Sequence, residues 1–292
     1  MKPETDPRPV DHGFNALSKL AYQEAGLVLA PSKSAMIQSR LRHRLKVLGI
    51  GNILDYCQYV SSHEGKSEKV EMISALTTNV SSFFREPHHF DFLKEELLDT
   101  FLERVEHGEP IRLWSAGCSN GQEPYSLAIL LTKHSEKFTK ENCKILATDI
   151  DKKVLRFAQE GRYEEGQIGG LAETDLHQFF KIEKSISGTK NFAVIDKIKD
   201  LVTFKPLNLI EKWPMKGSFD VIFCRNVIIY FDAITQDQLW PRFHNILKDD
   251  GIFFVGHSER INSDKFSSAG ATAYRKMEEN KTQINFSPEE TV

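Results

Sequence analysis

Hydrophobic residues follow two different periods along the chain, and the change of period divides it into two parts. From residue 14 to about residue 80 the apolar positions recur at helical spacing, and no alternating strand pattern occurs. This pattern predicts helices over Phe14–Ala25, Ser32–Leu48, Ile53–Ser61 and Lys66–Leu76. Residues 14–80 are therefore expected to form a small all-helical domain.

After residue 80, short apolar runs of strand length alternate with amphipathic segments. A helix over Pro87–Val105 leads into strands predicted at Ile111–Ser115, Lys144–Thr148, Val202–Pro206, Phe219–Cys224 and Gly251–Val255. The intervening helices are predicted at Glu123–His134, Lys152–Gln159 and Ala233–Leu247. Strands separated by helices indicate an α/β fold with a doubly wound, parallel sheet.

One interval in this alternation, Gly161–Asp200, is too long for a simple loop. Within it, Phe179–Glu183 and Asn191–Ile195 flank the turn-rich stretch SISGTK, which predicts a small β insertion over about residues 163–201. The polar ends, residues 1–12 and 277–292, are expected to be a disordered leader and a disordered tail.

Charge and cysteine usage narrow the class of protein. The 292 residues carry 38 Lys and Arg against 41 Asp and Glu, a net charge of −3, so the molecule as a whole is not built to bind a polyanion. Its four cysteines are scattered without a CxxC pair, which predicts neither a zinc framework nor disulfides. No signal-peptide pattern and no apolar run of membrane-spanning length occur, and we expect a cytoplasmic protein without membrane insertion.

The segment Ile111–Leu131 combines a strand, a turn containing Gly117 and Gly121, and a helix start. In doubly wound sheets such a turn lets a nucleotide-like ligand approach the backbone at a helix N-terminus. Glu123 and Asp149 supply carboxylates to bind ribose hydroxyls and an ammonium group, although Glu123 also fits an ordinary helix start. Asp149 follows Gly117 by 32 residues, against about 20 in the dinucleotide fingerprint. The pattern favours an S-adenosylmethionine (AdoMet) site over a NAD site.

Two further segments place polar residues where a crevice is expected. Arg225 and Asn226 end the fourth predicted strand, and Tyr230 follows four residues later. Burial of such a polar step without partners is unfavourable, so Asn226 and Tyr230 are expected to line the crevice, unless Arg225 caps a neighbouring helix or pairs with an acid. On the connection before the first strand, Arg85 is positioned to present its guanidinium to a carboxylate, unless it is a surface cation.

The connection also contains paired histidines, His88 and His89. With no carboxylate or cysteine recognised at ligand spacing, no metal site is predicted.

The second predicted helix and its start carry five cations: Lys33, Arg40, Arg42, Arg44 and Lys46. No acidic residue occurs between Glu24 and Asp55, so this helix is predicted to dock an acidic partner, either a protein helix or a nucleic-acid backbone.

These segments together resemble the chemotaxis receptor glutamate methyltransferases, which are AdoMet-dependent enzymes of bacterial chemosensory adaptation. The resemblance runs in family order over residues 14–276. Its matching segments are TNVSSFFREPHHF, LWSAGCSNGQEPYSLA, ATDID, KPLNLI, FDVIFCRNVIIYFD, and FFVGHSE followed by AYRK. Two departures are mild: Ser81 replaces a common threonine, and Gln122 replaces a frequent second glutamate.

The resemblance implies a methyltransferase domain over residues 81–276 that uses AdoMet and releases S-adenosylhomocysteine. Together with Gly117, expected from its turn, the implied AdoMet-binding residues are Asn79, Ser81, Arg85, Glu123, Asp149, Asn208, Leu209, Arg225 and Asn226. Arg85 and Tyr230 match residues near the transferred methyl group and are the implied catalytic residues.

The implied reaction is methylation of glutamate side chains on chemoreceptors, giving γ-glutamyl methyl esters. Docking to the receptor's cytoplasmic helices is assigned to Arg40, Arg42, Arg44 and Lys46. In some members the β insertion also binds a receptor C-terminal peptide. A monomer that binds no nucleic acid is expected. Two alternatives stay open at this point: an RNA or small-molecule methyltransferase, and a non-catalytic AdoMet-binding scaffold.

Overall fold

The helical domain forms around the apolar faces of its helices. In the computed structural model, which describes residues 12–184 and 190–277, its helices are α1 (His12–Ala25), α2 (Ser34–Leu48), α3 (Ile53–Ser61) and α4 (Glu68–Leu76). Leu17, Leu41, Tyr56, Val60 and Met72 meet in its fully buried centre. Short 3₁₀ turns, Pro31–Lys33 and Glu64–Ser67, precede α2 and α4, so these two helices begin two residues after their predicted starts.

The helix predicted over Pro87–Val105 is in fact two helices, α5 (His88–Glu96) and α6 (Leu98–Glu106). They meet at Leu97, whose φ of −127° is not helical. The break lets Phe90 and Leu93 of α5, and Leu98 of α6, all pack into the core beneath the sheet.

The remaining elements form the α/β domain. Its strands are β1 (Ile111–Ala116), β2 (Cys143–Asp149), β3 (Arg162–Glu164), β4 (Phe180–Lys184), β5 (Lys190–Val194), β6 (Val202–Pro206), β7 (Phe219–Cys224), β8 (Leu247–Val255), β9 (Phe266–Gly270) and β10 (Ala273–Lys276). Its helices are α7 (Gln122–His134), α8 (Lys152–Glu160), α9 (Glu173–Phe179), α10 (Asp196–Lys199) and α11 (Ala233–Ile246).

The main sheet has the strand order β6-β2-β1-β7-β8-β10-β9, in which the first five strands are parallel. The chain moves outward from β1 to β2 and β6, then returns to β7 on the other side, so the order reverses between β1 and β7. Ligands bind outside the carboxyl ends of strands at such a switch point. The antiparallel hairpin β9–β10 was not predicted, because the sequence of β9, FSSAG, has no apolar alternation.

Alternate residues of the central strands enter two separate cores. Leu113 and Phe223 pack against the helices on one face, whereas Trp114 and Ile222 pack with α11 on the other. A strand buried on both faces has a continuous apolar sequence, which is why these strands were recognisable.

The β insertion forms a separate antiparallel sheet with the order β3-β5-β4. The predicted hairpin corresponds to β4 and β5, while β3, α9 and α10 were not predicted. Residues 185–189 of its SISGTK turn lie outside the described residues, as do the leader before His12 and the tail after Met277. Among the described helices, none has both the length and the apolar character needed to cross a bilayer.

Candidate active site

A cleft opens at the carboxyl ends of β1, β2 and β7, between the α/β domain and the helical domain. All of the predicted AdoMet-binding and catalytic residues line it: Asn79, Ser81, Arg85, Gly117, Glu123, Asp149, Asn208, Leu209, Arg225, Asn226 and Tyr230. These residues come from five separate segments of the chain, and the fold brings them to one place.

The turn after β1 has glycine at two positions where its backbone lies directly against other residues. Gly117 has φ +82°, and a Cβ there would lie 2.3 Å from the Cγ2 atom of Val227. Gly121 has φ +88°, and its Cβ would lie 2.8 Å from the Cβ of Ala158. Both positions therefore require glycine, for backbone conformation as well as for space.

Asp149 ends β2 with its carboxylate bound to the same turn. Its Oδ2 accepts a hydrogen bond from the backbone N–H of Ser119 (2.8 Å), and its Oδ1 accepts one from that of Asp151 (2.9 Å). Burial raises the pKa of Asp149 to about 6, although these hydrogen bonds act in the opposite direction. The group is thus an acceptor whose charge changes just below neutral pH.

Arg225 connects two largely buried carboxylates at the base of the cleft. Its Nη1 lies 3.2 Å from Oε2 of Glu123, its Nη2 lies 3.2 Å from Oε2 of Glu86, and it also donates to the backbone carbonyl of Arg85. Glu123 accepts a further bond from the hydroxyl of Ser115 (2.6 Å). Burial raises the pKa of Glu123, and the positive charge of Arg225 opposes that rise. Arg225 therefore pairs with acids and lines the cleft at the same time.

Glu86 is an important residue that the sequence analysis did not single out. Burial opposes its ionisation, but hydrogen bonds from His257 and the charge of Arg225 outweigh this and lower its pKa to about 2. Burial and the charge of Arg225 lower the pKa of the neighbouring His89 to about 3.

A carboxylate does lie at ligand spacing from the paired histidines, so the prediction that none does was wrong. Ligand atoms of Glu86, His88 and His89 lie within 4.8 Å of one another. The guanidinium of Arg225 contacts the same Glu86 carboxylate, and its positive charge repels a metal cation there. Glu86 also accepts a hydrogen bond from the backbone N–H of His257 (3.2 Å), and Nε2 of His89 lies 2.8 Å from the Thr272 hydroxyl, so both residues already have protein partners.

Arg85 and Tyr230 lie on the walls of the cleft. Arg85 is partly exposed and donates from Nη1 to the carbonyl oxygen of Val80 (3.0 Å), which leaves further N–H donors of its guanidinium for a ligand. The backbone carbonyl of Tyr230 accepts a hydrogen bond from Val28 of the helical domain (2.9 Å), so this wall is built jointly by both domains.

Asp151 joins the two domains beside the cleft, and it too was missed. Its Oδ2 accepts hydrogen bonds from the Ser74 hydroxyl (2.9 Å) and the Asn79 amide (3.0 Å), while Oδ1 caps α8 by accepting from Lys153 N–H (2.8 Å). On the opposite side, the Asn208 amide donates to the carbonyl of Glu24 (2.8 Å). The only sequence signal was an acid placed two residues after Asp149.

The basic surface predicted on α2 needs correction. Arg44 binds Glu68 of α4 through two hydrogen bonds (2.8 and 2.5 Å) and lies 3.4 Å from Glu71. Arg40 donates to the backbone carbonyls of Leu76 and Thr77 at the end of α4. Neither arginine is a free docking cation, because α4 supplies the partners that the local sequence lacks.

The exposed cations of this region are Lys33, Arg42 and Lys46. Lys33 also lines the cleft, together with Met36 and Val80, which are 43% and 74% exposed. The cationic, partly apolar surface therefore lies at the mouth of the cleft and on the outer face of α2.

Comparison with known proteins identifies the family of the chain. Residues 79–275 match the family described as CheR methyltransferase, SAM binding domain, and residues 12–77 match its all-alpha domain. The chain belongs to the CheR methyltransferase family. It is therefore an AdoMet-dependent methyltransferase of the chemotaxis type, as the resemblance implied.

Relatives with chemotaxis names match over most of the chain. A probable chemotaxis protein methyltransferase from Rhizobium etli is 41% identical and covers 88% of this chain and 96% of the relative. The chemotaxis protein methyltransferases of Borreliella burgdorferi and Salmonella typhimurium are 40% and 38% identical. They cover 86% and 90% of this chain, and 89% and 90% of the relatives, respectively. Both domains of the family are thus present in one chain.

Proposed function

We propose that the chain methylates glutamate side chains of chemoreceptor cytoplasmic helices, with AdoMet bound in the cleft between its two domains. The observation that carries this proposal is the convergence of Arg85, Tyr230 and the AdoMet-binding candidates on that cleft. Known chemotaxis methyltransferases match the chain over both domains, which supports the same activity.

The residues of the cleft fit AdoMet chemically. Asp149 is a buried carboxylate and Glu123 a largely buried one, and both suit ribose hydroxyls and an ammonium group. Gly117 lines the cleft, and the absence of a side chain there lets Val227 pack directly against the turn. Asn79, Asn208 and Asn226 add amide groups along the rim, and Ser81 and Leu209 complete the wall.

AdoMet, when bound, supplies a methyl group on a positively charged sulfur, so that a carboxylate oxygen forms the new C–O bond as the C–S bond breaks and its electron pair stays on sulfur. A glutamate acceptor is already ionised at pH 7, so no general base is needed. The protein's contribution is positioning and exclusion of water. Arg85 orients the acceptor carboxylate through its free N–H donors, and the Tyr230 hydroxyl donates a hydrogen bond near the methyl group.

Receptor docking is assigned to the exposed cations Arg42, Lys46 and Lys33, and no longer to Arg40 and Arg44. An acidic receptor helix complements this surface in charge, and exposed Met36 and Val80 offer it apolar contact at the cleft mouth. The edge strands of the insertion sheet, β3 and β4, have the geometry for a receptor C-terminal peptide to add a strand. We further propose that the protein acts as a monomer in the cytoplasm.

The test is methyl transfer from labelled AdoMet to membranes that contain chemoreceptors from the same source, measured as methanol released by base. Base-labile label on receptor glutamates is the expected result, and an RNA substrate would not give it. Binding of AdoMet without label on any receptor of a panel would overturn the proposed acceptor and favour the scaffold. A receptor whose methylatable glutamates are replaced by alanine is the control.

A further inference from the structure

Glu259 lies in the turn after β8 and is 3% exposed. Its carboxylate accepts hydrogen bonds from four backbone N–H groups. Oε2 accepts from Asn226 (2.8 Å) and Gly256 (2.5 Å), and Oε1 accepts from Val227 (2.9 Å) and Ile229 (3.1 Å). Among the described residues, no Lys, Arg or His side chain forms an ion pair with it.

A buried carboxylate without an ionic partner is costly unless hydrogen bonds replace its hydration. Here the N–H groups of one loop, residues 226–229, provide most of that replacement, and charge-assisted bonds of this kind are stronger than neutral ones. The carboxylate therefore ties the loop after β7 to the turn after β8, which is the adjacent strand of the sheet.

The surrounding backbone is shaped to allow this arrangement. Asn226 has φ +59°, which is uncommon for a residue other than glycine. A Cβ on Gly256 would lie 2.8 Å from Oε2 of Glu259 and 2.6 Å from Nδ2 of Asn226. On the other side of the loop, Val227 fills the space left by the missing side chain of Gly117. Strain of this kind persists where neighbouring contacts over-determine it.

We propose that Glu259 is a positioning residue for methyl transfer, which holds the loop so that Asn226 and Tyr230 stay on the cleft wall. This inference rests on the proposed function for the roles of Asn226 and Tyr230. Glu259 does not line the cleft itself and acts only through the backbone of the loop.

Asp220 provides a matched control, because it lies at the start of β7, the strand whose following loop is held by Glu259. Asp220 of β7 is 2% exposed and accepts a hydrogen bond from Arg112 N–H (2.7 Å), with Lys248 at 2.6 Å and Arg104 at 2.8 Å. It is a buried carboxylate of comparable structural importance that is remote from the cleft. A general loss of stability should affect Asp220→Asn and Glu259→Gln alike, whereas loss of positioning should affect only Glu259→Gln.

The experiment measures AdoMet affinity by calorimetry, and kcat and receptor KM by methyl-ester formation, on the full chain below the Tm of each variant. Glutamine keeps the length of glutamate but turns one oxygen into a donor that faces two N–H groups. For Glu259→Gln we expect AdoMet Kd to rise about 10-fold and kcat to fall about 30-fold, with receptor KM within about 3-fold. For Asp220→Asn we expect a lower Tm with Kd and kcat within about 2-fold of the wild type.

Glu259→Asp is the second variant, since it keeps the charge and shortens the reach, and a smaller loss in the same direction is expected. AdoMet Kd and kcat within 2-fold of the wild type in either folded Glu259 variant would overturn the proposal, and so would failure of both to fold while Asp220→Asn folds. If the wild type labels no receptor, the proposed function fails, but the AdoMet Kd of the variants still decides the role of Glu259.

Discussion

Arg225 shows how one buried side chain organises the residues around it. Its guanidinium contacts Glu86, Glu123 and the Arg85 carbonyl, and only 2% of the side chain is exposed. Removing such a cation would leave two largely buried carboxylates without their ionic partner, a larger cost than the pair's net contribution. Arg85 is thereby held at the cleft by its own backbone, while its side chain remains available to a ligand.

Substitution of Arg85 should impair the chemistry without affecting the fold. For Arg85→Ala we expect kcat/KM for receptor methylation to fall about 100-fold, corresponding to about 2.7 kcal/mol of lost transition-state stabilisation. Arg156→Ala, at an exposed arginine on α8, is the matched control and should retain the wild-type rate. Activity of Arg85→Ala within a few-fold of the wild type would rule out its role.

The raised pKa of Asp149 predicts that AdoMet binding depends on pH. The group loses its charge as pH falls through about 6, and a protonated carboxyl is a poorer acceptor for two hydroxyl groups. AdoMet Kd should therefore rise about 10-fold between pH 7.5 and pH 5, as measured by calorimetry. Asp149→Asn should bind weakly at both pH values and lack this step. If the change in AdoMet Kd between pH 7.5 and pH 5 persisted in Asp149→Asn, a group other than Asp149 would be responsible for it.

At the scale of the element, α2 and α4 are one unit. Arg44 of α2 pairs with Glu68 of α4, and Arg40 donates to the carbonyl groups at the end of α4. The Tyr56 hydroxyl also donates to Glu68 (2.9 Å). Burial and this hydrogen bond raise the pKa of Tyr56 far above its usual value, which keeps the phenol protonated. One face of α2 is therefore structural, and only the opposite face is free for a partner.

This division predicts opposite phenotypes for the cations of α2. The double variant Arg42→Glu with Lys46→Glu should raise the receptor KM about 10-fold with an unchanged Tm, because it reverses charge on the free face. Arg44→Ala should instead lose about 3 kcal/mol of unfolding free energy by leaving Glu68 without its ionic partner, with receptor KM preserved. Denaturant unfolding and methylation at several salt concentrations measure both. A receptor KM that responds only to Arg44→Ala would reject the docking face.

At the scale of the whole molecule, the cleft depends on the seam between two domains. Asp151 binds Ser74 and Asn79, Asn208 binds the carbonyl of Glu24, and Val28 binds the carbonyl of Tyr230. Each contact joins the helical domain, or the connection after it, to a segment that lines the AdoMet cleft. A partner docked on the helical domain, as proposed above, would therefore act on a surface that is directly bonded to the cleft.

Asp151→Ala should weaken the seam and the AdoMet site together. We expect a loss of about 2–4 kcal/mol of unfolding free energy and an AdoMet Kd about 10-fold higher, because the Asp151 carboxylate also holds the amide of Asn79, which lines the cleft. Asn52→Ala removes another helix N-cap, that of α3, and should cost about 1 kcal/mol without changing AdoMet affinity. Equal effects of the two variants on AdoMet binding would exclude a specific role for the seam.

Local pattern predicted the parts of the fold whose stabilising contacts lie within one element. The buried strands were recognisable because both of their faces enter a core, and the glycine turn because its φ values exclude side chains. The partners of charged residues were not predictable. Glu68 lies 24 residues from Arg44, and Glu259 lies 33 residues from Asn226. No local period links such positions.

The sequence by itself determined the two domains, the parallel sheet and the residues at the carboxyl ends of its strands, because hydrophobic period and turn chemistry act over neighbouring residues. Tertiary structure decided which polar residues are free. The fold pairs Arg40 and Arg44 with α4 and brings Glu86 next to Arg225 beneath the cleft. It also places the Glu259 carboxylate within hydrogen-bonding distance of the loop after β7. The physical reason is that a buried charge is stable only beside its partner, and folding alone determines which distant groups become neighbours.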